Sequence, residues 1–210
     1  MALLIEQEQT RVQELLGVRH SRMAVTPFTY FRGAAIVMAS DLAQKPHSGQ
    51  MVQLCGDAHI LNFGFYASQE RQLLFDINDF DETFPGPYEW DVVRLATSVL
   101  LAAQSNGFGS EEQEEICVTA LRAYAQAMAE FAEMPFLAMW PSHLSRQRLV
   151  DKGGSKNLRK HLKEVVSAAL KRDSRQAVRK LCEIGANGEY RFKNNPPLIW
   201  RAEQLPESWR

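Results

Sequence analysis

"VQLCGDAHILNFGFYASQERQLLFDINDFDETFPGPYEWD", residues 52–91, decides the fold and poses the functional question. It holds eight acidic residues, Asp57, Glu70, Asp76, Asp79, Asp81, Glu82, Glu89 and Asp91, against one base, Arg71, in a chain of formal net charge −1. Carboxylates are costly to bury unpaired, so these either face water or hold something positive. "MVQLC" reads as a short strand running into Gly56-Asp57. "NFGFY" and "QLLFDIN" read as the two strands of a hairpin joined by polar residues. Strand alternation puts Leu73, Phe75, Ile77 and Asp79 on one face, and Leu74, Asp76 and Asn78 on the other. The hairpin therefore returns the chain toward the Asp57 loop and brings Asp79 near Asn62. Asp57, Asn62 and Asp79 make a hard, all-oxygen set that suits Mg²⁺ or Mn²⁺ rather than zinc.

Outward from this stretch the pattern is helical. "GPYEWDVVRLATSVLLAAQSNG" is apolar nearly all round from Leu95 to Ala103 and ends at Asn106-Gly107, so a buried helix is expected over about 88–105. "SEEQEEICVTALRAYAQAMAEFAEM" is a second long helix, with Ser110 as its cap and glutamates in its first turns. Upstream, residues 4–16 read as one helix. "TPFTYFRGAAIVMASDLA" reads as another, opened by Thr26 as N-cap and Pro27 at the first position. Pro135 and Pro141 bracket a short apolar turn. Residues 156–182 give one or two basic helices broken near "RDS", and "EYRFKNNPPLIWRAEQLPESWR" reads as extended and proline-rich. The expected fold is α+β, mainly α, as one domain over 1–195 with an extended tail or linker at 196–210.

At 210 residues the chain can bury one core. No apolar run is long enough to span a bilayer. The start carries Glu6 and Glu8 where a signal peptide stays apolar, and the three cysteines are far apart with no CxxC, which together favour a reduced cytoplasm. Between residues 144 and 181 twelve Lys or Arg stand against three acids. No aromatic stacking pattern accompanies them, so a solvated helix face is favoured over a nucleic-acid surface.

"GDAHILN" followed by "DFDETFPGPYEWDVVRL" resembles the catalytic core of aminoglycoside phosphotransferases and choline kinases, in the protein-kinase-like superfamily. Gly56, Asp57, Asn62, Asp79, Phe80, Gly86 and Asp91 follow that pattern in order, although Pro87 sits one residue earlier than the usual proline. "TPFTYFRGAA", "VQLCGDAHILNFG", "FDINDFDET", "GPYEWDVVRLATS" and "RFKNNPPLI" resemble an uncharacterised bacterial family, domain of unknown function 2252. The resemblance implies a kinase-like large lobe whose hairpin carries the catalytic loop. It implies Asp57 as catalytic base, Asn62 and Asp79 as metal ligands, and Mg²⁺ (or Mn²⁺) with ATP as cofactors. It implies a hydroxyl acceptor on a small molecule or protein.

A kinase also needs a glycine-rich clamp and a lysine for the ATP phosphates. Neither G-x-G-x-x-G nor G-x-x-x-x-G-K-[ST] occurs, and "DKGGSK" (151–156) reads as a turn. The expectation is a chain cut short of its clamp lobe, inactive alone and completed by that lobe in cis or in trans. The alternatives are a non-catalytic binding module, a pseudokinase-like remnant without the clamp, and a metal-dependent hydrolase. Arg32, charged within an apolar helix, must find an anion: a structural carboxylate, or a nucleotide or substrate phosphate. His59 reads as a brace of the loop and Asp91 as a cap of the following helix that braces the loop, with Arg94 as its partner.

Overall fold

The computed structural model describes residues 2–69, 73–139, 144–145, 155–170, 174–196, 199–205 and 207. They are mainly helical, with three small antiparallel sheets. The chain divides into two compact units between residues 148 and 149, whereas the expectation was one domain over 1–195 with a tail or linker at 196–210.

In the first unit the N-terminal helical region is more broken than its apolar spacing suggests. The stretch 4–16 is not one helix. It divides into α1 (Ala2–Glu8), a 3-10 turn (Gln13–Leu15) and the start of α2 (Leu16–Met23). Side chains end α1: Thr10 Oγ1 donates to Gln7 O at 3.0 Å and Gln13 Nε2 to Glu8 O at 2.9 Å, taking carbonyls a continuing helix would use. The next stretch opens as expected. Thr26 Oγ1 accepts from Thr29 N and Thr29 Oγ1 from Thr26 N, a reciprocal cap worth about 1 kcal/mol.

That helix also divides, into α3 (Pro27–Gly33) and α4 (Ala35–Leu42), at Ala34 with φ −124° and ψ 40°. Two arginines from elsewhere explain the break. Arg19 donates to Gly33 O, and Arg94 Nη2 donates to Phe31 O at 3.0 Å. These are carbonyls an unbroken helix would offer to Val37 and Ala35. Leu4, Met23 and Ala34 form a small core beneath, with Ile36 and Val37 against it.

β1 (Met51–Leu54) pairs with β4 (Phe84–Pro87), and β2 (Phe63–Ala67) pairs with β3 (Leu73–Ile77), which also takes β5 (Leu144–Ser145). The β2–β3 hairpin is the expected one. β4, sequence "FPGP", is a strand that propensity disfavours. It is tolerated because it lies at a sheet edge, where Pro85 and Pro87 need not donate. α5 (Glu89–Ser105) ends as read, with Asn106 as C-cap and Gly107 at φ +79°. Arg94, Ser98 and Ala103 are its buried residues, while Leu95, Val99 and Ala102 are half-buried. α6 (Ser110–Ala132) packs on α5. Its cap is Gly109 rather than Ser110, because Glu112 Oε2 reaches back to Gly109 N at 2.9 Å. α7 (Phe136–Met139) is the short turn after Pro135.

The second unit holds α8 (Lys156–Leu170) and α9 (Ser174–Leu181), with the "RDS" break and most of "DKGGSK" outside the described residues. Leu162, Val166 and Ala169 form the inner stripe of α8, and its basic residues are exposed, as on a solvated face. The segment read as extended is partly a hairpin: β6 (Cys182–Ile184) pairs with β7 (Tyr190–Phe192). Lys193 Nζ donates to Arg179 O and Lys180 O at 3.2 and 3.0 Å, neutralising the negative end of α9. Glu183 holds both Arg191, at 3.3 Å, and Arg201. Among the described residues no helix is long and apolar enough to cross a membrane.

Candidate functional site

The loop from Cys55 to Asn62 is held from below by one face of α5. Asp91, Arg94 and Ser98 stand at i, i+3 and i+7, and all three reach the loop. Asp91 Oδ2 and Oδ1 accept from Cys55 N at 2.7 Å and Gly56 N at 3.0 Å. Ser98, fully buried, accepts from Ile60 N at 3.0 Å and donates to Leu95 O at 2.7 Å. Asp91 is thus the loop brace and not the cap of α5, whose N-cap is Tyr88 without a side-chain bond. Arg94 is not Asp91's hydrogen-bond partner. Its Nε and Nη2 both lie 2.5 Å from Asp57 Oδ1, and its guanidinium covers the Phe31 ring at 4.3 Å. Ser98 escaped the sequence reading. The available signal was that three polar residues share one helical face of an otherwise apolar segment.

Gly56 lets the chain turn into the loop. Its φ is +85°, and a Cβ there would lie 1.8 Å from Glu82 O. The loop after the hairpin therefore presses directly on the backbone before Asp57. Thr83 Oγ1 fastens the same contact by donating to Leu54 O at 2.6 Å.

The three residues singled out by spacing fall in one neighbourhood. Asn62, buried at the end of a 3-10 turn, donates its Nδ2 to Asp57 O at 2.8 Å. That bond fixes the amide's orientation. Its Oδ1 accepts no hydrogen bond among the described residues. Asn78 N donates to Asn62 O at 3.0 Å, which extends the β2–β3 ladder by one step and sets Asp79 beside that turn. Asp79 is exposed, its carbonyl accepts from Cys55 Sγ at 3.5 Å, and its Oδ1 accepts from Asp81 N at 3.4 Å. Burial pushes the Cys55 thiol up from its ordinary value, helped by the charges of Asp91, Asp57 and Asp79 and opposed by a hydrogen bond to the Asp57 backbone. Burial likewise raises the Asp91 carboxyl, against the pull of the two amides and Arg94.

His59 is 2% exposed. Leu61 N donates to its Nδ1 at 3.2 Å, so the neutral ring carries its proton on Nε2, 3.5 Å from Asp57 Oδ2. The 3.4 Å approach of Arg32 Nε to that same nitrogen is then a contact between two donors. Arg32 itself is exposed and has no carboxylate partner among the described residues. Burial, with the charges of Arg32 and Arg94, lowers the His59 pKa, and Asp57 opposes them.

A measurable consequence follows from that sign. The unfolded ring takes a proton near 6.5, and the folded ring only at lower pH. His59 therefore contributes stability that is complete above 6.5 and is lost as pH falls through its folded value. Urea midpoints should drop between pH 7.5 and pH 5, and His59→Gln should flatten that part of the profile. An unchanged slope in the variant would contradict the assignment.

The family model described as an uncharacterized protein conserved in bacteria (DUF2252) matches residues 11–209. The chain belongs to this family. The match runs through the site loop, the hairpin, α5 and the second unit alike. No curated protein and no solved structure matches the chain.

Proposed function

We propose that residues 55–91 form the base-and-metal half of a kinase-like phosphotransferase site, moving a phosphoryl group from Mg-ATP to a hydroxyl of a small molecule or protein. The observation that carries the reading is the Asn62 amide. Its nitrogen is committed to the backbone of the Asp57 loop, and its oxygen accepts no hydrogen bond among the described residues, on a residue whose own carbonyl accepts from Asn78 N, next to Asp79. The donor set fits a cation that keeps much of its shell as water and phosphate oxygen. It does not fit a cation held by protein alone, since among the described residues no group of three or more His, Cys, Asp or Glu can hold one. Asn62 Oδ1 and the Asp79 carboxylate would be the protein ligands. Mg²⁺ there would neutralise charge on the transferring phosphate.

The chain's own groups do the rest. Arg94 ties Asp57 by Oδ1, and Oδ2, which faces His59 Nε2 at 3.5 Å, is the oxygen that would take the acceptor's hydroxyl proton. Asp91 and Ser98 keep the loop from shifting as that proton moves. Arg32, exposed and without a carboxylate, is available to a nucleotide or substrate phosphate. A glycine-rich clamp, in cis or in trans, completes such a site.

A second reading has its own support. The 2.5 Å pair with a buried arginine makes Asp57 a structural anchor as well, as expected of a non-catalytic binding module that keeps the fold. Asp57→Asn separates the two. The amide oxygen still accepts from Arg94, so the variant folds, as circular dichroism checks. In the completed enzyme it should bind Mg-ATP as before yet lose phosphoryl transfer by about a hundredfold or more, the usual contribution of a general base. Unchanged transfer would remove Asp57 from the chemistry, and absence of Mg-nucleotide binding would favour the binding module.

A further inference from the structure

α5 turns Asp91, Arg94 and Ser98 toward the loop, and on its far side it does the reverse of what a surface helix does. Between Glu89 and Ala103 the residues it shows to solvent are Val93 and Leu100, at i and i+7. Thr97, between them at i+4, turns its hydroxyl back to Val93 O at 2.8 Å. Charged groups held inward with an apolar line outward invert the usual pattern of such a helix. α6 carries a matching line. None of its residues is buried. Leu121, Ala125, Met128 and Ala132, at i, i+4, i+7 and i+11, are all exposed. The four large side chains, Val93, Leu100, Leu121 and Met128, are 39% to 48% exposed.

The packing of the two helices brings these lines together. α5 and α6 are joined by residues 106–109 and run antiparallel. Cys117 Sγ donates to Ala96 O at 3.4 Å, which marks the touching sides: Ala96 and Ala103 on α5, Cys117 and Tyr124 on α6. On each helix the exposed line lies about 60° further round from the touching side, in the same rotational sense. In an antiparallel pair, equal turns carry both lines to one side of the seam. Val93 and Leu100 therefore form one bank of an apolar furrow, and Leu121 and Met128 the other. The charge beside it has one sign. Between residues 110 and 133 six glutamates stand against one base, Arg122, and Glu114, seven residues before Leu121, falls on the line itself.

We propose that this furrow docks a basic amphipathic helix of a partner protein. Its apolar side chains at i, i+3, i+4 and i+7 would fill the furrow, and its lysines and arginines would meet the glutamates of α6. The same charges oppose an anionic membrane surface, and the α6 of a second copy would set glutamate against glutamate. The proposal stands apart from the metal-and-base reading, because the groups that hold the loop lie on the other side of α5.

The test titrates the full chain with a synthetic helical peptide about four turns long, with leucine at i, i+3, i+4 and i+7 and lysine elsewhere. A second peptide carries glutamate in place of every lysine. The lysine peptide should saturate, shift the backbone amides of Val93, Thr97, Leu100, Leu121 and Met128, and bind more weakly as salt rises. Leu121→Gln should weaken it about tenfold or more, the loss of one buried leucine contact. Ala123→Gln, exposed on the opposite side of α6, should leave binding as it was, and circular dichroism checks that both variants fold. Shifts centred elsewhere would overturn the proposal, as would equal weakening by Ala123→Gln or equal binding of the glutamate peptide. Self-association of the free chain in sedimentation, abolished by Leu121→Gln, would overturn it as well, since the occupant would then be a second copy.

Discussion

Arg94→Met should lower the unfolding free energy by about 3 kcal/mol, at the lower end for breaking a buried ion pair because Asp57 keeps 17% side-chain exposure. Arg94 is 3% exposed and answers to three groups at once: Asp57 in the loop, the Phe31 carbonyl at the α3 end, and the Phe31 ring. Methionine fills much of the volume, so the loss reports the charge left behind on Asp57 and the carbonyl left without its donor. The double variant Arg94→Met, Asp57→Asn leaves no uncompensated charge and should recover part of the deficit. A double-mutant cycle in urea should therefore show coupling above about 1 kcal/mol. Additive effects would mean that the two side chains do not depend on each other.

Gly56→Ala should be the most damaging added methyl among the described glycines. Two terms act on it. The backbone φ of +85° costs an L-residue about 1–2 kcal/mol, and the new Cβ would lie 1.8 Å from Glu82 O, so the loop 79–83 must move. The control is Gly107→Ala, with φ +79° but no atom within 4 Å, which carries only the first term. The expected result is a loss of about 1 kcal/mol at Gly107 and more than about 3 kcal/mol at Gly56. Equal losses would mean that Glu82 does not press on the loop. Because Cys55 and Gly56 donate to Asp91, the displaced loop should also lose the arrangement of Asp57 and Asn62.

What was legible in the sequence is what depends on local period and spacing. The hairpin alternates, α5 is apolar nearly all round from Leu95 to Ala103 with Asn106-Gly107 after it, and the Gly56-Asp57 to Asn62 interval marks a loop with polar groups at fixed places. What was not legible depends on partners distant in the chain. The break at Ala34 comes from Arg19 and Arg94 taking carbonyls, and within "TPFTYFRGAAIVMASDLA" only Gly33, a poor helix former, marks the place. β4 hides behind two prolines whose missing donors matter little on an edge strand. The Asp57–Arg94 pair joins positions 37 residues apart, so local spacing points Arg94 to the acid three residues before it rather than to the one across the fold. Ser98 looks like an ordinary helix serine until the amide of Ile60 is found above it.

In the proposed site Asn62 and Asp79 would share one cation with nucleotide phosphates. Mn²⁺ in place of Mg²⁺ tests it, in the protein completed by its clamp lobe and with ATP present, by paramagnetic broadening of the backbone amide resonances. Broadening should concentrate on Asp57, Asn62, Asn78 and Asp79, be absent without nucleotide and be lost in Asp79→Asn. Broadening centred elsewhere, on the exposed glutamates that open α6 for example, or broadening at the loop that survives Asp79→Asn undiminished, would contradict it.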